Sequence, residues 1–194
     1  LDLAWSSAVR QDRSQLAIRL ARRNLERHPD EPSARIWLAQ MLLLNGQRDE
    51  ADSLMEQAMA GEPQDLVSWT GLLAYALRSS DAEQVEVCLE RLKTHRDLVE
   101  SEYHRLAAQA YQQIGDRQRA DEHFSAALQD TPDDPDLRVR YATYLHPFDP
   151  SRAEDELRDV LSKAPSHAQA RRTLATWLYG QDDERAQREA QELL

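Results

Sequence analysis

Between residues 32 and 45 the apolar side chains Leu38, Met41, Leu42 and Leu44 stand three and four positions apart, with Ile36 beside them. That spacing predicts an α-helix with one apolar face. Gly46 follows, and a residue that accepts positive φ there can end the helix. A second helix is predicted over 48–60, with Pro63 just beyond it, where it interrupts no helical hydrogen bond. The pattern then recurs. "NGQRDEADSLMEQAMAGEPQD" at 45–65 is echoed by "IGDRQRADEHFSAALQDTPDDP" at 114–135. Gly46 and Gly115, Ala51 and Ala120, Ala58 and Ala127, and Pro63 and Pro132 each stand 69 residues apart, close to two units of 34. No stretch alternates apolar and polar residues with β-branched enrichment, so no sheet is predicted.

A 34-residue period divides the chain into about six helix–turn–helix units: 1–31, 32–65, 66–100, 101–134, 135–167 and 168–194, the first and last incomplete. Small residues recur at fixed places. Unit position 8 holds Ala39, Ala108, Ala142 and Ala175, and position 20 holds Ala17, Ala51, Ala120, Ala153 and Ala186. They let helix axes approach closely, while Leu38, Leu42, Met55, Tyr111 and Phe124 fill the remaining space. The third unit departs from this, with Leu73, Val85 and Leu92 at expected small positions and Ser80 in place of the glycine. In the fifth, "HPFDPS" replaces the glycine turn: Pro147 stops one helix, Asp149 can cap the next and Pro150 fits its first turn. One unit cannot bury its apolar face alone, so the units are expected to stack into a single array. The closing run "DDERAQREAQELL" reads as a helix whose Leu193 and Leu194 want a cover, as in a fragment of a longer array.

Composition narrows the function classes. Hydrophobic residues are 41% and charged residues 30%, enough to build a core and too apolar for a disordered chain. The net charge of −11 argues against a nucleic-acid partner, which would call for a broad basic face. Only residues 1–28 are mildly basic, with six Arg against three acids; solvated helix faces account for this, and self-association through the array ends is the sharper alternative. Lys93 and Lys163 are the only lysines, an Arg-for-Lys skew that points to a GC-rich bacterial source. Cys88 stands alone and can form no internal disulfide. "MLLL" is too short to enter a membrane, so no direct insertion is expected.

The sequence shows no catalytic pattern. His28, His95, His104, His123, His146 and His167 are scattered, none forming a His-x-x-x-His pair, so no metal site is expected. No glycine-rich phosphate loop occurs, and no cofactor is implied. The carboxylates of "TPDDPD" and "EDE" fall in turns and first helical turns, where they complement helix dipoles. Trp5, Trp37, Trp69 and Trp177 are expected to be core residues.

The residues Tyr111, Gly115, Ala120, Phe124, Ala127 and Pro132 of the copy 101–134 resemble the tetratricopeptide repeat, and the copy 32–65 is nearly as close. The resemblance implies an all-α, right-handed solenoid. It also implies a non-catalytic scaffold that binds a protein or peptide ligand in its concave face. In that family, unit positions 2, 5, 9, 12 and 13 usually point into the groove. Here they bring forward Ile36 and Leu43, with Gln40 between them, in an amino-terminal half that is mostly apolar, and Arg78, Arg105, Gln109, Gln112 and Gln113 as a polar middle. Arg and Gln can make directed hydrogen bonds to backbone and carboxylate groups of a bound segment. The family's carboxylate clamp for a chaperone tail is absent: only Arg105 and Gln109 are even similar to its lysine and asparagine. Two narrower settings fit the repeat style. One is the periplasmic part of a Gram-negative exopolysaccharide export protein, of Pel or cellulose type, recruiting polymer-modifying enzymes. The other is a regulatory domain of a cytoplasmic enzyme or transcription regulator. Composition leans to the periplasm.

Overall fold

The structure is a computed structural model that describes residues 2–193, with side-chain burial from Arg13 onward. Leu194 and the side chain of Trp5 lie outside the described residues. Eleven α-helices and no strand occur among the described residues. A single helix α1 (Asp2–Arg27) is followed by the pairs α2 (Pro32–Leu44) and α3 (Arg48–Ala60), and α4 (Leu66–Ser79) and α5 (Ala82–Lys93). Next come α6 (Glu100–Ile114) and α7 (Arg117–Asp130), then α8 (Pro135–Leu145) and α9 (Pro150–Lys163), and last α10 (Ala168–Tyr179) and α11 (Glu184–Leu193). The last stretch thus forms both of its helices, whereas the first forms one. The chain divides into two compact units, 1–103 and 104–194. No helix among the described residues is long and apolar enough to cross a membrane.

The turns explain where the helices begin and end. Asp65, Asp81, Asp116, Asp134 and Asp149 each accept a hydrogen bond from the backbone N–H three residues on, capping α4, α5, α7, α8 and α9. Such a cap is worth about 1 kcal/mol. Many of the turn carboxylates therefore serve helix starts. At the other end, three turns share one bond: Gln47 N–H reaches Leu42 O (2.9 Å), Asp81 N–H reaches Ala76 O (3.0 Å) and Asp116 N–H reaches Tyr111 O (2.9 Å). Each spans five residues, the wider bond of a Schellman motif, and each needs a left-handed residue just before it. Gly46 (φ 78°) and Gly115 (φ 82°) supply it, and so does Ser80 (φ 59°). The fifth turn lacks that bond. There Phe148 and Asp149 N–H both reach Leu145 O, at 2.8 and 2.9 Å.

In the unit 1–103 the core gathers Ile18 and Ala21 of α1, Ala34, Leu38, Ala39 and Leu42 of α2, and Ala51, Met55 and Ala58 of α3. Leu73, Val85 and Leu92 are buried as well, so the larger side chains of the third copy are taken into the core. Between α2 and α4 the approach is closest at Gly71, where an added Cβ would lie 2.8 Å from Ile36 Cγ2. In the unit 104–194 the core runs from Val139 and Ala142 through Leu157 and Val160 to Leu174, Ala175, Leu178, Ala186 and Ala190. The alanines at unit positions 8 and 20 are all buried except Ala17, which is half-buried.

Polar pins join successive pairs. The Tyr75 hydroxyl donates to Asp52 Oδ1 (2.5 Å), and the Tyr141 hydroxyl donates to Asp121 Oδ1 (2.6 Å). Asp52 and Asp121 are 69 residues apart, so the acceptor keeps its repeat position. Arg138 braces α8 to α9 through Glu156 (2.7 Å) and Asp159 (3.2 Å). Of the tryptophans, Trp69 is buried and donates its indole N–H to Pro63 O (2.8 Å). Trp177 is half-buried and stacks on His146, with ring centroids 4.0 Å apart. Trp37 departs from the core expectation at 39% exposed, while Leu38 and Leu42 of the same helix are buried.

Candidate functional site

Three first helices, α2, α4 and α6, carry the residues singled out for partner binding, and the two compact units place them differently. In the unit 1–103, Ile36 is only 4% exposed, packed beneath Gly71. Gln40 is half-buried, and its amide donates to Gly71 O (3.0 Å). Both residues therefore hold α2 against α4. Leu43 is half-buried, while Arg78 is exposed in the last turn of α4, where a cation complements the helix dipole. The outward apolar surface of α2 belongs instead to Trp37 and to Leu44, which is 64% exposed.

In the unit 104–194, Arg105, Gln109, Gln112 and Gln113 share one face of α6, at spacings of four, seven and eight residues. The three glutamines are exposed. Arg105 is half-buried, with its guanidinium 3.6 Å from Asp134, the residue that caps α8. Gln112 forms one wall of a cleft of about 340 Å³ whose other walls are Gly115, Arg117, Thr143, Tyr144, Pro147 and Phe148. Phe148 is 47% exposed. Arg117 lies with its guanidinium carbon 3.7 Å from the centre of the Phe148 ring, and Tyr144 meets that ring edge-on at 5.9 Å. The Tyr144 hydroxyl donates to Arg117 O (2.8 Å), which ties the start of α7 to α8. Among the described residues no carboxylate pairs with Arg117. A cation held over an exposed aromatic ring, beside an apolar cleft, can receive an apolar side chain and an acceptor together.

Arg117, the first residue of α7, and Pro147 and Phe148, in the turn before α9, escaped the groove-position argument because it counts only positions on the first helices. The available signal was "HPFDPS" itself, an aromatic residue between two prolines in a turn, where it cannot reach a helix core. A larger cleft, about 540 Å³, lies in the unit 1–103 between Met59, Trp69, Val87, Arg91 and His95. It is built mainly from the second helices and their connectors, and contains none of the residues singled out for binding.

The structure brings no three His, Cys, Asp or Glu side chains into a metal-binding group among the described residues. Cys88 is buried, and burial pushes its thiol up to about 12.

Residues 8–76, from α1 into α4, match the tetratricopeptide repeat family. No curated protein matches the chain.

Proposed function

This chain carries tetratricopeptide repeats, a family that mediates protein–protein interaction, and from that premise we propose that the faces of its first helices bind a segment of a partner protein. The observation that carries the reading is the cleft at Phe148. A half-exposed aromatic ring, an arginine without a carboxylate and a row of exposed glutamines stand together in the unit 104–194. Aromatic and Arg side chains supply most of the energy at protein interfaces, and exposed amides satisfy the backbone of an extended segment. Ile36 and Gln40 act from behind, setting the spacing of α2 and α4; the contacting residues there are Leu43, Leu44, Trp37 and Arg78.

A photo-crosslinking residue placed at Gln109, Gln112 or Thr143 tests this in the native host. Adducts with one protein are expected from those positions and not from Gln129 or Asp130 at the far end of α7. Equal yields from both sets would refute the reading. With that partner purified, Phe148→Ala and Arg117→Ala should each weaken binding at least tenfold with little change in Tm. Arg105→Ala is a poorer probe, since it also removes the contact to Asp134.

A further inference from the structure

Arg13, Leu16, Leu20, Arg23 and Arg27 follow one another at three- and four-residue steps along α1 and so form a single stripe. All five are exposed, Leu16 and Leu20 at 49% each, while Ile18 and Ala21 are buried in the core. Among the described residues no carboxylate pairs with Arg13, Arg23 or Arg27; Arg22, off the stripe, pairs with Glu50 at 2.8 Å.

Later pairs show what such a stripe faces. Counted from Ala17, Ala120 and Ala153, which share unit position 20, Leu16 and Leu20 hold the places of Arg119 and His123 in α7 and of Arg152 and Glu156 in α9. There these places meet the first helix of the same pair. The Arg119 guanidinium covers the Tyr111 ring from 4.3 Å, and His123 stacks on Tyr111 at 5.3 Å between centroids. Arg152 lies over the Tyr141 ring at 5.2 Å, and Glu156 accepts from Arg138 at 2.7 Å. In α1 the same two places are leucines left half in solvent.

We infer that α1 is the open half of a helix pair, and that its stripe docks an amphipathic helix of a partner protein, apolar along one seam and rich in Glu or Asp beside it. The leucines call for the seam, and the unpaired arginines on either side of them call for the carboxylates. A second copy of this chain is a poor occupant. Paired with itself in either direction, the stripe sets arginine against arginine. The exposed face of α11 carries Glu184, Arg185, Arg188, Gln191 and Glu192, with no apolar side chain to receive the leucines. A lipid surface is poorer still, since Ile18 and Ala21, the other apolar residues of this part of α1, are already buried.

The test is titration of the whole chain into two labelled helical peptides of about three heptads, with leucine at both seam positions and either glutamate or lysine at the flanking ones. The glutamate peptide should bind at least tenfold more tightly. Leu16→Gln/Leu20→Gln should weaken it at least tenfold, and Arg13→Glu/Arg23→Glu should transfer the preference to the lysine peptide. All four changes fall on exposed positions, so Tm should barely move. Phe148→Ala should leave this binding unchanged, so that this inference and the cleft reading fail separately. Equal affinity for the two peptides, or full affinity in the leucine variant, would overturn the assignment. So would a dimer in sedimentation, or flotation with anionic phosphatidylserine vesicles, that Leu16→Gln/Leu20→Gln abolishes.

Discussion

The amide of Gln40 donates to the carbonyl of Gly71 across 3.0 Å, joining the first helices of two successive pairs side chain to backbone. The contact exists because residue 71 has no side chain. A glycine inside a helix costs about 1 kcal/mol relative to alanine, so its place in α4 is explained by the approach of Ile36 rather than by helix preference. Gly71→Ala should lower stability despite the better helix former. The new methyl would meet a β-branched side chain that cannot swing away, and overpacking costs about 1–3 kcal/mol. In an Ile36→Leu background, which lacks the offending branch, the same change should cost less. Chemical denaturation of the four variants reads this coupling directly.

The three left-handed turns give predictions of opposite sign. Gly46→Ala and Gly115→Ala should each destabilise by about 1 kcal/mol, because both residues have positive φ although nothing crowds their Cβ positions. Ser80 already bears the same strain at φ 59°, so Ser80→Gly should be neutral to stabilising. Thermal unfolding of the three variants checks the order.

Tyr141 makes stability fall in alkali. A free tyrosine ionises near pH 10. In the fold, burial first and then the hydrogen bond to Asp121 push Tyr141 up to about 12. Its contribution is fully present below about pH 10 and is lost as pH rises through 12, because the unfolded chain ionises first. Burial and Asp52 push Tyr75 in the same direction. Tm measured from pH 9 to 12 should drop steeply, and less steeply in Tyr141→Phe.

Cys88 should be inert in the native chain. The thiolate is the reactive form, and Cys88 is both buried and held in its protonated state at neutral pH. An aromatic disulfide reagent should modify it only at the rate of unfolding, and completely in denaturant. Prompt labelling without denaturant would contradict the buried position.

The sequence by itself determined the helix pairs. Their boundaries at 32–44 and 48–60, the left-handed turns at Gly46 and Gly115, the caps at Asp149 and Pro150, and the buried alanine rows depend on contacts within one repeat length, which recur every 34 residues. Tertiary structure decided what those pairs present to the outside. Ile36 and Gln40 occupy groove positions by count, yet they pack on Gly71, because helix separation depends on the residue facing them. Phe148 belongs to no periodic position, and Arg117, which repeats Arg48 at the 69-residue interval, carries no sign in the sequence of the ring it covers. They meet only when turns and helices from different places in the chain are folded together, and no one-dimensional spacing encodes that distance.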